Sequence, residues 1–118
     1  MRDFRSLLAW QRSHQMVLGI YCLTKGMPRS ERFGLTNQLR RAAAAVPTNI
    51  AEGCGHISQR EFARFLQISV ASASEAEYLL LLCRDLGYLA ADACNHLIGQ
   101  LIEIKKMLMT LIRRARGG

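Results

Sequence analysis

The chain has 118 residues, which is room for one domain, and half of them are apolar, which is enough for a hydrophobic core. Lysine and arginine outnumber aspartate and glutamate by 16 to 9, and the resulting net charge of +7 favours anionic partners such as nucleic acid. The longest apolar run, residues 78–83, is far shorter than the ~20 residues of a membrane span, and no secretory leader opens the chain. We therefore expect a cytoplasmic protein that binds no membrane.

The first predicted helix covers residues 7–25, with Ser6 as its N-cap and a break at residues 26–28. Two apolar stripes run along it on roughly opposite sides. The predicted core face carries Leu7, Trp10, His14, Val17, Leu18 and Tyr21. His14 is therefore expected to be a core histidine. The other stripe is surplus to a monomer core, and its Met16 and Ile20 are predicted to lie in an oligomer interface.

The second predicted helix covers residues 31–53, with Ser30 as its cap, and it carries Pro47. A proline cannot donate a backbone hydrogen bond, and its ring crowds the carbonyl of the residue four places earlier. The helix could end near Val46 or continue through a bend. The apolar stripe keeps its phase across Pro47, which favours a continuous, proline-kinked helix that Gly53 stops.

The third and fourth predicted helices cover residues 59–86 and 90–115. Ser58 and Glu61 form a capping box at the start of the third helix, and its Ser69 is expected to bond back to its own backbone. Short connections between four such helices predict an all-α, single-domain fold, an antiparallel up-down-up-down four-helix bundle.

The segment QLRRAAAAVPTNIAEG, residues 38–53, resembles the signature of a four-helix bundle family, that of the ribosomal RNA intervening-sequence proteins. That family is related to the accessory protein of diversity-generating retroelements. The resemblance covers almost the whole chain. It implies a homopentamer, nucleic-acid binding in some relatives and no established enzymatic activity. Structural roles are assigned to Arg41, Pro47, Asn49, Glu52 and Gly53.

Arg40 and Arg41, the paired arginines before the alanine run, are expected to have different roles. Helix pairing would bring Arg41 to Glu75 or Glu77, which lie on a mostly apolar stretch, and a charge at the edge of a core is normally paired. Arg41 is therefore predicted to form a structural ion pair. Arg40 points about 100° away along the helix and is expected to be free.

The remaining basic residues cluster at the start of the third helix and the end of the fourth. Charges at a helix C-terminus can simply complement the helix dipole, or they can form a phosphate-binding patch. The predicted nucleic-acid-binding set is Arg40, Arg60, Arg64, Lys105, Lys106, Arg113, Arg114 and Arg116. No aromatic residues alternate with them, so binding should follow the backbone and select weakly for sequence.

Surplus apolar residues also lie outside the predicted core stripes of the third and fourth helices. A monomer would expose them, and large exposed apolar patches usually mark interfaces. The predicted interface residues there are Tyr78, Leu82, Ile98, Ile102 and Met109. We therefore expect a homo-oligomer, and the resemblance implies five subunits.

No constellation in the sequence predicts catalysis, a cofactor or a metal. The pairs Cys54–His56 and Cys94–His96 lack the usual spacing of structural zinc sites, and the four cysteines are expected to be reduced. The favoured function is a non-enzymatic oligomer that binds RNA or DNA. The alternative is a structural adaptor for a protein partner, such as a reverse transcriptase.

Overall fold

The computed structural model describes residues 2–117, and all regular structure in that range is helical. The four α-helices are α1 (Leu8–Thr24), α2 (Leu35–Cys54), α3 (Gln59–Asp85) and α4 (Ala91–Ala115). Two short 3-10 turns, Phe4–Ser6 and Arg29–Glu31, precede α1 and α2. The predicted all-α, four-helix fold is confirmed.

Neighbouring helices run in opposite directions. The connections Gly55–Ser58 and Leu86–Ala90 are too short to carry the chain back along a whole helix. Between α1 and α2, Arg40 near the start of α2 contacts Thr24 at the end of α1. Contacts of α1 with α4 close the bundle, whose extents are 44 × 22 × 19 Å. One core, drawn from all four helices, fills the centre.

α2 begins at Leu35 and not at residue 31 as predicted, and Ser30 does not cap it. The cap comes from Glu31, whose Oε1 accepts a hydrogen bond of 3.1 Å from the backbone nitrogen of Leu35. Gly34 makes this possible, since a Cβ there would lie 2.7 Å from the same oxygen. The predicted helix started too early because the charged residues before Gly34 suit a first helical turn in composition.

Of the caps predicted for α1 and α3, the first is wrong and the second is observed. Ser6 does not cap α1, because Leu7 occupies the N-cap position and the Ser6 hydroxyl donates to the carbonyl of Asp3. Ser58 caps α3 as predicted, since its hydroxyl accepts a hydrogen bond of 3.2 Å from the backbone nitrogen of Glu61, while the Glu61 carboxylate binds Arg64 instead of completing the capping box.

α2 continues through Pro47, as the unbroken apolar stripe predicted, and the bend at the proline stays a prediction. Gly53 is not a stop, because it lies inside α2. It packs closely against α3: a Cβ on Gly53 would lie 3.0 Å from the Phe65 Cβ and 3.3 Å from the Phe62 carbonyl oxygen. Just before the proline, the Val46 carbonyl accepts a hydrogen bond of 2.8 Å from the Ser69 hydroxyl of α3, so the prediction that Ser69 bonds back to its own helix is wrong.

The two faces of α1 are exchanged relative to the prediction. Met16 and Ile20 are fully buried in the core, so the predicted oligomer contact through them is wrong. His14 is exposed, and its ring stacks on Trp10 with centroids 5.0 Å apart. Ser13 lies within the buried stripe of α1, and its polar side chain makes that stripe look less hydrophobic in the sequence than it is. Burial of Ser13 costs little because its hydroxyl donates to the Ala9 carbonyl at 2.6 Å.

The predicted roles of the paired arginines are also exchanged. The Arg40 Nε donates a hydrogen bond of 2.8 Å to the buried Thr24 hydroxyl, and its guanidinium lies 4.6 Å from the Tyr21 ring centroid. Arg41 is exposed, and within residues 2–117 no carboxylate lies within 4.0 Å of it. Its predicted ion pair with Glu75 or Glu77 is therefore wrong. The Arg40 contacts are not visible in helical spacing because they depend on where α1 ends.

We expect Gly53→Ala to lower the free energy of unfolding by about 1–3 kcal/mol, the usual cost of overpacking. The cause is the missing room against Phe62 and Phe65. Gly99→Ala in α4 is the control. Nothing lies within 4 Å of a Cβ there, so it should stabilise the protein by up to about 1 kcal/mol. Urea unfolding followed by circular dichroism measures both, and equal effects would contradict the packing argument.

Arg40→Gln should destabilise the protein by about 1–3 kcal/mol, because it removes charge-assisted hydrogen bonds to the end of α1. Arg41→Gln should stay within about 0.5 kcal/mol of the parent, as exposed substitutions usually do. The same denaturation assay compares these adjacent residues. A larger loss for Arg41→Gln would show that Arg41 has a structural contact after all.

Candidate nucleic-acid interface

One end of the bundle is dominated by arginine. The start of α1, the end of α2, the start of α3 and the end of α4 meet there, and the backbone nitrogen of Arg2 donates to the Cys54 carbonyl at 3.1 Å. We call this region the basic end. The basic end carries only three carboxylates, those of Asp3, Glu52 and Glu61. Its seven arginines are Arg2, Arg5, Arg60, Arg64, Arg113, Arg114 and Arg116.

A groove of about 730 Å³ lies between α3 and α4 at the basic end, and Arg60, Arg64 and Arg116 line it. Within residues 2–117, no carboxylate lies within 4.0 Å of Arg60 or Arg116. Arg64 is partly neutralised, because its Nε lies 2.7 Å from Glu61 Oε2. This hydrogen bond holds the pKa of the Glu61 carboxyl below its ordinary value. The groove therefore keeps two uncompensated positive charges.

The other predicted binding residues do not all join this groove. Lys105 is half-buried and pairs with Glu77 at 2.8 Å, while Lys106 pairs with Glu103 at 3.3 Å. The Lys105 Nζ and Glu77 Oε1 atoms form a close ion pair at 2.8 Å, although they are not aligned for a hydrogen bond. Arg40 is bound to the end of α1 as described above. These three cations are already engaged within the chain.

Two further arginines lie on the exposed last turns of α4. The Arg113 Nη2 donates to the Thr110 hydroxyl at 3.4 Å, so this side chain lies back along its own helix. Arg114 lines a separate groove of about 330 Å³ towards α1, beside Leu8 and Met107. Both side chains extend the positive surface around the end of α4.

Arg2 belongs to the same surface and was not predicted. Its guanidinium lies 3.8 Å from the Phe62 ring centroid, and its Nη2 donates to Gln59 Oε1 at 3.0 Å. These contacts hold the first described residue over the start of α3. Local sequence carries no signal for them, since the partners are 57 or more positions apart.

Apolar side chains cover much of the outer side of α3 and α4. Tyr78, Ile102 and Met109 are exposed, while Leu82 and Ile98 are half-buried. Within residues 2–117, α3 alone is long and apolar enough to cross a membrane by length and composition, a test that core helices also pass. Here α3 packs against both α2 and α4.

Among residues 2–117, no three His, Cys, Asp or Glu side chains lie close enough together to hold a metal ion. The two Cys-x-His pairs are at opposite ends of the bundle, Cys54 at the end of α2 and Cys94 at the start of α4. Both thiols are buried, and burial raises their pKa above the ordinary value, which disfavours the reactive thiolate. His56 stacks on Phe65 with ring centroids 4.9 Å apart.

A search of solved structures finds a similar fold in a protein of unknown function from the S23 ribosomal protein family of Bacteroides thetaiotaomicron. The two chains are 24% identical, and the TM-score is 0.83 over 90% of this chain and 99% of that one. This likeness shows the fold. No curated protein matches the chain.

A family model gives the sequence assignment. The model of the 23S rRNA-intervening sequence proteins matches residues 5–110, which is nearly the whole chain and includes all of α1, α2 and α3 and most of α4. The chain therefore belongs to the 23S rRNA-intervening sequence protein family.

Proposed function

We propose that the chain is a non-enzymatic, homo-oligomeric helical bundle that binds the phosphate backbone of RNA or DNA through the basic end. The observation that supports this most is the groove in which Arg60 and Arg116 lack a carboxylate partner. Arginine binds phosphate through two parallel, charge-assisted hydrogen bonds. A non-enzymatic role agrees with the buried thiols of Cys54 and Cys94, whose raised pKa disfavours the reactive thiolate.

Arg60 argues against a purely structural reason for these charges. Arg113 and Arg114 lie in the last turn of α4, where a cation complements the negative end of the helix dipole. Arg60 lies in the first turn of α3, where the dipole is positive and a cation is disfavoured. A bound anion would relieve this unfavourable placement, so Arg60 is better explained by a ligand than by helix stability.

The chemistry of the groove favours contact with the backbone over reading of bases. Its lining adds Ser58, Gln67 and the Arg64-paired Glu61 to the arginines, and it contains no aromatic side chain. Hydroxyl, amide and guanidinium groups donate to phosphate oxygens, and such contacts position a protein without specifying a sequence. The expected ligand at the basic end is therefore any RNA or DNA backbone that fits the groove.

Self-association is the second part of the proposal. The exposed Tyr78, Ile102 and Met109 are apolar groups that a partner copy would remove from water. The family resemblance suggests five copies. A pentamer of a +7 chain would carry a formal charge of +35 and would present five basic ends to one nucleic acid. Repeated weak sites on one particle bind with high avidity when their spacing matches the ligand.

The structural adaptor for a protein partner, such as a reverse transcriptase, is the second candidate function. It is favoured by the outward face of α1, where Trp10, His14 and Val17 line an almost wholly apolar groove of about 420 Å³ with Pro47 and Ala51 of α2. Apolar grooves beside exposed aromatic rings are common protein-binding surfaces. Nucleic acid would find few hydrogen-bond donors there.

Replacing Arg60, Arg113 and Arg116 together with glutamine should weaken RNA and DNA binding and flatten its salt dependence. Each lost phosphate contact should reduce the slope of log affinity against log salt by roughly 0.7–0.9. Fluorescence anisotropy between about 20 and 200 mM salt measures the slope. Lys106→Gln is the control, since Glu103 already offsets that charge at 3.3 Å. A parent that binds neither RNA nor DNA at the lowest salt would remove the proposed function.

Light scattering at micromolar concentration should give a mass well above the 13.3 kDa of one chain, near five times that value for a pentamer. Ile102→Glu should lower the mass, because a charge buried in an apolar contact is strongly unfavourable. Ile57→Glu is the control, as an equally apolar residue exposed in the connection between α2 and α3. A parent mass near that of one chain would refute self-association.

A further inference from the structure

The connection between α1 and α2 presents an aromatic ring to solvent. Phe33 is 85% exposed and is the most exposed aromatic side chain of residues 2–117. Burying an aromatic ring is one of the largest sources of stability in a small domain, so an exposed ring forgoes it. The core of the bundle draws on the helices and does not use Phe33. The ring is therefore available to a partner.

The backbone that carries Phe33 is held firmly. The 3-10 turn closes with a hydrogen bond of 3.0 Å from the Glu31 nitrogen to the Pro28 carbonyl, and the Gly34 nitrogen donates to the Glu31 carbonyl at 3.0 Å. The Glu31 carboxylate caps α2 and also accepts from the Tyr88 hydroxyl at 3.3 Å, which ties this connection to the one between α3 and α4. A fixed platform loses little conformational entropy when a ligand binds.

The connection that carries Phe33 is positively charged because its three cations outnumber its one carboxylate, Glu31. The Glu31 carboxylate accepts hydrogen bonds from the Leu35 nitrogen and the Tyr88 hydroxyl. Three exposed cations remain, and none has a carboxylate within 4.0 Å in the described part of the chain; they are Lys25, Arg29 and Arg32. The Arg32 guanidinium lies 5.2 Å from the Phe33 ring centroid.

We propose that Phe33 is a stacking platform for an unpaired base of single-stranded nucleic acid, with Lys25, Arg29 and Arg32 on the flanking phosphates. This inference rests on the proposed function and adds a second contact, at the end of the bundle opposite the basic end. A nucleotide supplies a flat π face and an adjacent phosphate in one unit, which matches a ring bordered by cations. A protein partner that buried Phe33 would also have to compensate three cations.

The test compares three replacements of Phe33 in the 118-residue chain. Phe33→Leu keeps an apolar group and removes the aromatic face, Phe33→Trp keeps the face, and Phe33→Ala removes both. The probes are a labelled single strand of RNA and a duplex of the same length, each measured by fluorescence anisotropy. Leucine and alanine should weaken single-strand binding roughly 5- to 150-fold, the range for one base stacked on an aromatic residue. Tryptophan should bind like the parent or more tightly.

Two further measurements distinguish loss of base stacking from other effects of replacing Phe33. Duplex binding and the salt slope should stay unchanged in all three variants, because paired bases are not free to stack and Phe33 contacts no phosphate. Thermal unfolding should match the parent, since the side chain is exposed. Ile57→Ala, an exposed apolar residue in the next connection, is the control for lost apolar surface.

Three results would overturn the platform. Single-strand binding by Phe33→Ala equal to that of the parent would leave the proposed function standing and remove Phe33 from it. Loss in the alanine variant with full binding by Phe33→Leu would indicate a merely apolar contact. Equal losses for duplex and single strand would exclude stacking on an unpaired base. A parent that binds neither probe would instead refute the proposed function itself.

Discussion

The crossing of α2 and α3 is the constraint on which the rest of the structure depends. Gly53 lets the two backbones approach so closely that even a methyl group would press on the Phe65 Cβ and the Phe62 carbonyl. Further along, Ser69 donates to the Val46 carbonyl, directly before Pro47. A buried serine and an unusual proline thus occur where two helices meet at close range. This crossing sets the start of α3 against the end of α2, and so places Arg60 and Arg64 of α3 at the basic end.

The positive charges of the described residues fall into two classes, those that have a structural partner and those that have none. Lys105, Lys106 and Arg40 are held by Glu77, Glu103 and the end of α1. Arg60 and Arg116 have no such partner within residues 2–117. The first class stabilises contacts inside one chain. The second retains a field that acts at a distance, which is the property an anion-binding surface needs.

The fold could be predicted from local patterns, but the orientation of α1 could not. Apolar periodicity, the capping box at Ser58 and short connections were sufficient for four helices, because these signals lie within one element. Two apolar stripes on α1 competed, and hydrophobicity ranked them wrongly. Ser13 looked polar in the sequence, yet it is buried at no great cost through its bond to Ala9. Which face of α1 is buried depends on packing against the other helices. The spacing of residues along one helix carries no information about that packing.

The candidate site shows the same division between local and distant information. The clusters at the start of α3 and the end of α4 were visible as runs of arginine, and the antiparallel pairing of these helices brings them together around one groove. The contribution of Arg2 was not visible, because it depends on contacts with Gln59 and Phe62, which all of α1 and α2 separate from Arg2 along the chain. The exchange between Arg40 and Arg41 likewise depended on the position of Thr24, which only the folded chain defines.

The antiparallel arrangement has a consequence for the range over which the basic end attracts anions. Two helix N-termini and two C-termini meet at each end of the bundle, so beyond the first and last turns the four macrodipoles largely cancel and side chains generate the field. All seven cations named there are arginines, whose planar guanidinium forks match the geometry of phosphate. The long-range attraction of this surface for anions therefore comes from side chains in contact with solvent, and dissolved salt screens it.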